Sequence, residues 1–261
     1  MKKFFIVSLA LCLAALSCSC SSTDSESSDN EVSAEPSSSE SEDTEAESQY
    51  TLYADFSKGL SDDFYPADGW SNDPPFNCLW TADNCRIEDG VIQMVIDEQY
   101  DGRTTGAEYR TNEMYGYGLY ECSMKPIKNP GVVSSFLTYT GPYEGDPWDE
   151  VDIEFLGKDT TQVQFNYFGD GSEGHDYVYD LGFDASEDFH TYGFRWLEDS
   201  ITWYVDGEAV YEVVADDIPT TPGRIMITAW TSIGVDDWTG AYDGTTPLAA
   251  EYEWVRFTAE E

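Results

Sequence analysis

The sequence predicts an all-β protein, a sandwich of two antiparallel sheets of the jelly-roll kind. Three observations predict it. From Tyr50 onward, short runs rich in Val, Ile, Thr, Tyr, Phe and Trp alternate with Gly, Asp, Asn and Pro turns. Two of the turns, in Ile87–Ile92 and Trp203–Glu208, carry the Asp-Gly pair that favours a tight hairpin. No long stretch has helical periodicity, and no segment repeats. Further strands are expected over Tyr117–Met124, Val132–Tyr139, Val163–Tyr167, Thr191–Trp196, Arg224–Trp230 and Tyr252–Phe257. Many short strands at this spacing pack as one sandwich.

Composition bounds the function. The 261 residues hold 52 acidic and 12 basic side chains, for a net charge of -40. Nucleic acid and anionic membrane surfaces are excluded as partners, because both need clustered Lys and Arg. Disorder throughout is excluded too, since the chain carries 8 Trp, 18 Tyr and 13 Phe.

Residues 1–20 read as a secretion signal. Met1-Lys2-Lys3 is a positive start, and Phe4 to Leu16 is an apolar run too short to span a bilayer comfortably. Leu13 to Cys18 resembles a bacterial lipoprotein processing site, with Ala15 three residues before Cys18 and Cys20 as a rival. Attachment through a lipidated Cys18 and ordinary cleavage are both open, and either places the protein outside the cytoplasm. Residues 21–49 hold ten acids and no base or aromatic, which predicts a disordered Ser/Glu-rich tether. Residues 50–261 form the folded domain, expected to be a monomer.

Cys78, Cys85 and Cys122 fall in the domain and allow one disulfide, with the pair unspecified. No C-x-x-C occurs and the histidines are only His175 and His190, which argues against zinc.

The sharpest segment is Trp148-Asp149-Glu150-Val151-Asp152-Ile153-Glu154-Phe155-Leu156. In a strand, alternate side chains share a face, so Glu150, Asp152 and Glu154 point one way while Val151, Ile153 and Phe155 point into a core. Three carboxylates in a row repel one another and raise at least one pKa. Two carboxyl groups with separated pKa values are what glycoside hydrolysis uses. The bland alternatives are a solvated acidic face and a calcium site. Residues four apart on a flat strand lie roughly 13 Å apart at Cα, whereas a retaining pair of carboxyl groups sits about 5–5.5 Å apart. Catalysis therefore requires the strand to curve.

The run from Trp148 to Tyr167 resembles the signature of glycoside hydrolase family 16, and is most similar to its bacterial lichenases, the endo-β-1,3-1,4-glucanases. Tyr115–Tyr120, Ser123–Pro126, Val133–Phe136, Leu181–Ser186, Trp203–Gly207 and Gly234–Trp238 match in order. The resemblance implies a jelly-roll with a concave sheet forming a glucan cleft, and hydrolysis with retention of configuration. It implies Glu150 as nucleophile, Glu154 as acid/base and Asp152 as a tuning carboxyl. At cleft positions it places Asn72, Phe76, Glu108, Arg110, Trp148, Gln164, Asn166, Trp230 and Trp238. Glu108 and Arg110 have a surface ion pair as their alternative. Trp80, Trp196, Trp203 and Trp254 are expected in the core.

No cofactor is expected for catalysis. A structural calcium would fall at Gly90 and Glu253, where the family commonly has a Gly carbonyl and an Asp. Other departures stand along the cleft. Gly106 replaces a Cys that commonly pairs with the counterpart of Cys78, and a Cys85–Cys122 bridge is one substitute. Thr228 replaces an Asn, Trp70 a Tyr and Phe168 a second Tyr. Action on another β-glucan, such as laminarin or xyloglucan, is therefore the alternative substrate class. A non-catalytic glucan-binding protein would have no need of an intact triad. A Ser-His-Asp hydrolase is disfavoured by the absence of G-x-S-x-G.

Overall fold

A computed structural model of the chain describes residues 49–98, 103–171 and 174–260. The predicted signal over 1–20, Cys18 and all of the tether except Gln49 lie outside the described residues.

Sixteen strands are described. In chain order they are β1 (Leu52–Asp55), β2 (Phe64–Pro66), β3 (Cys78–Trp80), β4 (Cys85–Glu88), β5 (Val91–Glu98), β6 (Thr104–Thr111), β7 (Gly118–Lys125) and β8 (Val132–Thr140). Then follow β9 (Asp149–Leu156), β10 (Gln162–Phe168), β11 (Tyr177–Asp180), β12 (His190–Trp196), β13 (Ser200–Val205), β14 (Glu208–Val214), β15 (Arg224–Thr231) and β16 (Leu248–Ala259). One helical turn, α1 (Asp236–Thr239), separates the last two. Both Asp-Gly signals produce their hairpins. Asp89 and Gly90 have φ of 51° and 82°, and Asp206 and Gly207 have 49° and 78°, the left-handed pair of a type I′ turn.

The strands form the two faces of a jelly-roll sandwich. One sheet runs β11-β10-β9-β8-β15-β6, with β2 on the far side of β6. The other runs β4-β5-β16-β7-β12-β13-β14, with β1 also on β16. A short pairing of Asp97 and Glu98 with Thr105 and Thr104 joins them, and β3 lies parallel to the start of β6.

Alternation supplies the core. Val151, Ile153 and Phe155 of β9, Val163 and Phe165 of β10, and Ile225 and Ile227 of β15 are all buried against the second sheet. Aromatic rings meet across the interface: Phe155 packs on Tyr192 at 4.9 Å, and Phe165 on Trp203 at 5.5 Å. Two polar tips cross as well. Trp203 donates its indole N–H to the Asp152 carbonyl at 3.1 Å, and the Tyr252 hydroxyl donates to the Ser135 carbonyl at 2.9 Å. These bonds hold β9 and β8 from behind.

Two expectations are corrected. Cys78, Cys85 and Cys122 are all buried free thiols, so the suggested Cys85–Cys122 bridge is absent. Cys85 opens β4 and Cys122 lies on β7, and β5 and β16 run between them. Three strand spacings put them roughly 14 Å apart, beyond the reach of a disulfide. Trp254 is only half-buried, on the outward face of β16, where the Arg256 guanidinium lies 4.5 Å from its ring. Trp80, Trp196 and Trp203 are buried as expected.

Gly106 sits where a β-carbon would lie 2.8 Å from the Cys78 sulfur and 3.0 Å from the Ala229 carbonyl. In a Gly106→Cys variant the introduced thiol is therefore expected to form a disulfide with Cys78 in air-equilibrated buffer, with dissolved oxygen taking the two electrons. Closing that loop should stabilise the fold by about 3 kcal/mol. A thermal melt with and without reductant measures it. Equal melting temperatures in the two conditions would show that the geometry does not close.

Candidate active site

The face of the first sheet that points away from the core is polar, and it is sunk below the surface. Strand register sets its side chains in rows that cross the sheet. One row runs Gln164, Glu154, Ser135, Thr228, Glu108; the next runs Asn166, Asp152, Leu137, Met226, Arg110. A third runs Phe168, Glu150, Tyr139, Arg224. Asp152, Ser135, Thr228, Gln164, Asn166 and Glu108 are all buried. A solvated acidic face would leave them open, so that reading is excluded.

Aromatic rings rim the polar rows. Beyond Glu154, the Trp230 ring packs at a tilt against Phe76 at 4.1 Å and Trp238 at 6.2 Å. Beyond Glu150, the half-exposed Trp148 stacks on Phe168 at 4.7 Å and donates its indole N–H to the Glu150 carboxylate at 2.6 Å. Trp70, 39% exposed, lies under the Arg110 guanidinium at 5.3 Å. Asn72 is exposed, and its side-chain oxygen accepts from Trp80 at 2.6 Å.

The three carboxyl groups differ in their surroundings. Burial raises the pKa of Glu150, and hydrogen bonds from Trp148 and Asp152 oppose the rise. Asp152 is held well above the usual carboxylate range, by burial first and then by the charges of Glu150 and Glu154. It stays protonated and donates to Glu150. Glu154 is pushed up to about 8 by burial and by the Glu150 charge, with Asp176 adding to the rise. The Gln164 amide donates to Glu154 at 3.1 Å and restrains it. All three are raised, but Glu150 receives two hydrogen bonds that oppose the rise and Glu154 one, so their surroundings differ in the way that two-carboxyl chemistry needs.

Glu108 and Arg110 form an ion pair, with Glu108 buried and Arg110 largely covered. Burial raises the Glu108 pKa against the lowering effect of Arg110. The Arg110 Nε is buried without a hydrogen-bond partner, a donor facing no acceptor of the protein.

Sequence reasoning does not pick out Ser135, Leu137, Tyr139, Met226 and Arg224. Nearly every residue of β8 is buried, on both faces, so alternation of polarity gives no signal there. Asp149 lies inside the motif but on its opposite face. Buried, it accepts from the backbone N–H of Asp170 at 2.6 Å and of Thr220 and Thr221 at 2.8 Å each.

A structural calcium at Gly90 and Glu253 is not shown. Gly90 lies in the β4–β5 turn, and Glu253 sits at the bulge of β16 with its carboxylate taking a hydrogen bond from Ser123 at 2.6 Å. Calcium takes six to eight oxygens, and among the described residues no group of three His, Cys, Asp or Glu side chains is arranged for a metal.

Residues 72–256 match the profile of Glycosyl hydrolases family 16. The chain belongs to that family. It is a glycoside hydrolase, and relatives repeat the match along its length. It is 55% identical over 194 residues to the Beta-glucanase of Paenibacillus macerans, covering 74% of this chain and 81% of that one. It is 53% identical over 215 residues to the Xylanase/beta-glucanase of Ruminococcus flavefaciens, covering 79% of this chain and spanning 27% of that longer protein. Among solved structures, a prokaryotic beta-1,3-1,4-glucanase (lichenase) from a mouse hindgut metagenome superimposes with a TM-score of 0.77 at 52% identity. The superposition covers 80% of this chain and 99% of that one.

Replacing Asp149 with Ala strips a buried acceptor from three backbone N–H groups. The expected loss of stability is about 3–5 kcal/mol, read from the urea midpoint. A loss below about 1 kcal/mol would mean that water or another group takes over the three donors.

Proposed function

We propose that this protein is an endo-β-glucanase that hydrolyses mixed-linkage β-1,3-1,4-glucan with retention of configuration. The observation that carries the reading is the pair of glutamates on one recessed strand face: hydrogen bonds from Trp148 and Asp152 oppose the burial that raises Glu150, while Glu154 is pushed up to about 8. The Glu150 carboxylate attacks the anomeric carbon while the Glu154 proton passes to the glycosidic oxygen, breaking that bond and releasing the leaving chain. Glu154, now ionised, takes a proton from water as the water oxygen attacks the glycosyl-enzyme, which frees Glu150. Asp152 donates to Glu150 and so favours its ionised form.

The chain lies across the strands. Trp148, Trp230, Trp238 and Phe76 stack on the C–H faces of the sugars, while Asn72, Glu108, Arg110, Gln164 and Asn166 take the hydroxyls. The unpartnered Arg110 Nε supports this, because it gains an acceptor only from a ligand. Preference for mixed linkage is supported by the relatives named beta-glucanase and lichenase. Thr228 and the exposed Trp70, both unlike the lichenase pattern, favour a second reading, action on another β-glucan such as laminarin or xyloglucan. We further propose that residues 1–20 direct secretion, that residues 21–49 act as a tether where Cys18 is lipidated, and that the enzyme works as a monomer.

Glu150→Gln is expected to lower kcat on barley β-glucan by about 10³-fold or more with the fold intact. Full activity in that variant would remove Glu150 from the mechanism. Reducing-sugar release from mixed-linkage glucan, laminarin and xyloglucan separates the two substrate readings, with the first expected to lead.

The pH dependence follows from the carboxyl environments. Lowering pH protonates Glu150 and removes the nucleophile, so activity falls on the acid side. Raising pH ionises Glu154 and removes the acid, so activity falls through about 8. A profile of kcat/KM that stayed flat through about pH 9 would contradict the assignment.

A further inference from the structure

The geometry points to Trp238 as a positioning residue that acts through Gln164, fixing which oxygen of Glu154 carries the catalytic proton. This rests on the acid role proposed above for Glu154. It concerns a hydrogen-bond chain rather than sugar stacking.

The chain has a fixed direction. An indole N–H donates and cannot accept. Trp238 donates to the Gln164 side-chain oxygen at 2.9 Å, so the Gln164 amide nitrogen must face the other way. There it donates to Glu154 Oε2 at 3.1 Å. An oxygen already receiving an N–H cannot also hold its own proton toward that donor. When Glu154 is neutral, its proton therefore sits on Oε1, the oxygen free to face a glycosidic bond.

Trp238 is itself held. It lies on the single turn α1, whose Thr239 accepts Gly131 N–H through its carbonyl at 2.8 Å and shares a 2.6 Å hydroxyl pair with Ser232. Asp237 offers its carbonyl to Lys158 at 3.1 Å, and the Trp238 ring leans on Trp230. The turn is thus tied to the β8 approach and to the end of β15. It presents the indole to β10 in one orientation.

Without the indole N–H, the Gln164 amide is free to rotate. Its carbonyl then meets Glu154 and accepts from the protonated acid, which favours the neutral form. The charged and titratable groups acting on Glu154 are Glu150 and Asp152 on β9 and Asp176 before β11, and a Trp238→Phe change touches none of them.

The test uses the whole chain with Trp238→Phe, Gln164→Ala and the double variant. The pKa of Glu154 is followed by the carbon-13 shift of its carboxyl, and separately by the basic limb of kcat/KM on mixed-linkage glucan. Trp238→Phe should raise both by about half to one pH unit, with kcat falling more than KM rises. Gln164→Ala should also raise them, and adding Trp238→Phe to it should shift nothing further. An unmoved Glu154 titration in Trp238→Phe overturns the proposal, as does a shift that persists in the Gln164→Ala background. Failure of the acid assignment shows differently: the wild-type basic limb would then not follow the carboxyl titration at all.

Discussion

Everything at the site depends on β9 having both of its faces committed. Val151, Ile153 and Phe155 are buried in the sandwich core, and Trp203 bonds the Asp152 carbonyl from behind. With one face locked, strand alternation leaves Glu150, Asp152 and Glu154 no direction but the cleft. Three carboxyl groups in that recess repel one another and resist ionisation. Their raised pKa values mean that the folded state holds protons the unfolded chain would release. The site therefore costs stability as pH rises through the ordinary glutamate range toward the Glu154 value of about 8. The core supplies the surplus that lets such a site persist.

The neighbours of the triad divide that strain. Trp148 gives Glu150 an N–H and Asp152 gives it a proton to share, while Gln164 gives Glu154 a single weak donor. The same residues that frame the cleft thus set apart the nucleophile from the acid/base. Acidity elsewhere on the molecule suits an uncharged polysaccharide, since a polyanionic chain would be repelled.

Much of this was legible in the sequence, where local rules act. The two Asp-Gly pairs form their hairpins because the tight turn needs left-handed backbone that Asp and Gly tolerate, and the alternation of Glu150 to Phe155 places the triad without any partner strand. What was not legible depends on strand order. Cys85 and Cys122 each read as strand residues, but β5 and β16 fall between them only because the chain returns from residue 248 to pair with both β5 and β7. Trp254 read as core because nothing local reveals that its face of β16 looks outward to Arg256. Ser135, Leu137 and Tyr139 are not legible because both faces of β8 are covered, one by the second sheet and one by the recessed cleft. Asp149 is hidden for the opposite reason. It sat among conspicuous acids and faced away from them, toward the loops it ties.

The account's central claim is that Glu150 and Glu154 act as nucleophile and acid/base across one sugar ring. Proton NMR of a mixed-linkage glucan digest in its first minutes tests this most directly, because it catches the anomeric centre before mutarotation. The account predicts that the new reducing end appears first as the β-anomer. First appearance of the α-anomer would mean direct attack by water and would contradict the nucleophile assignment.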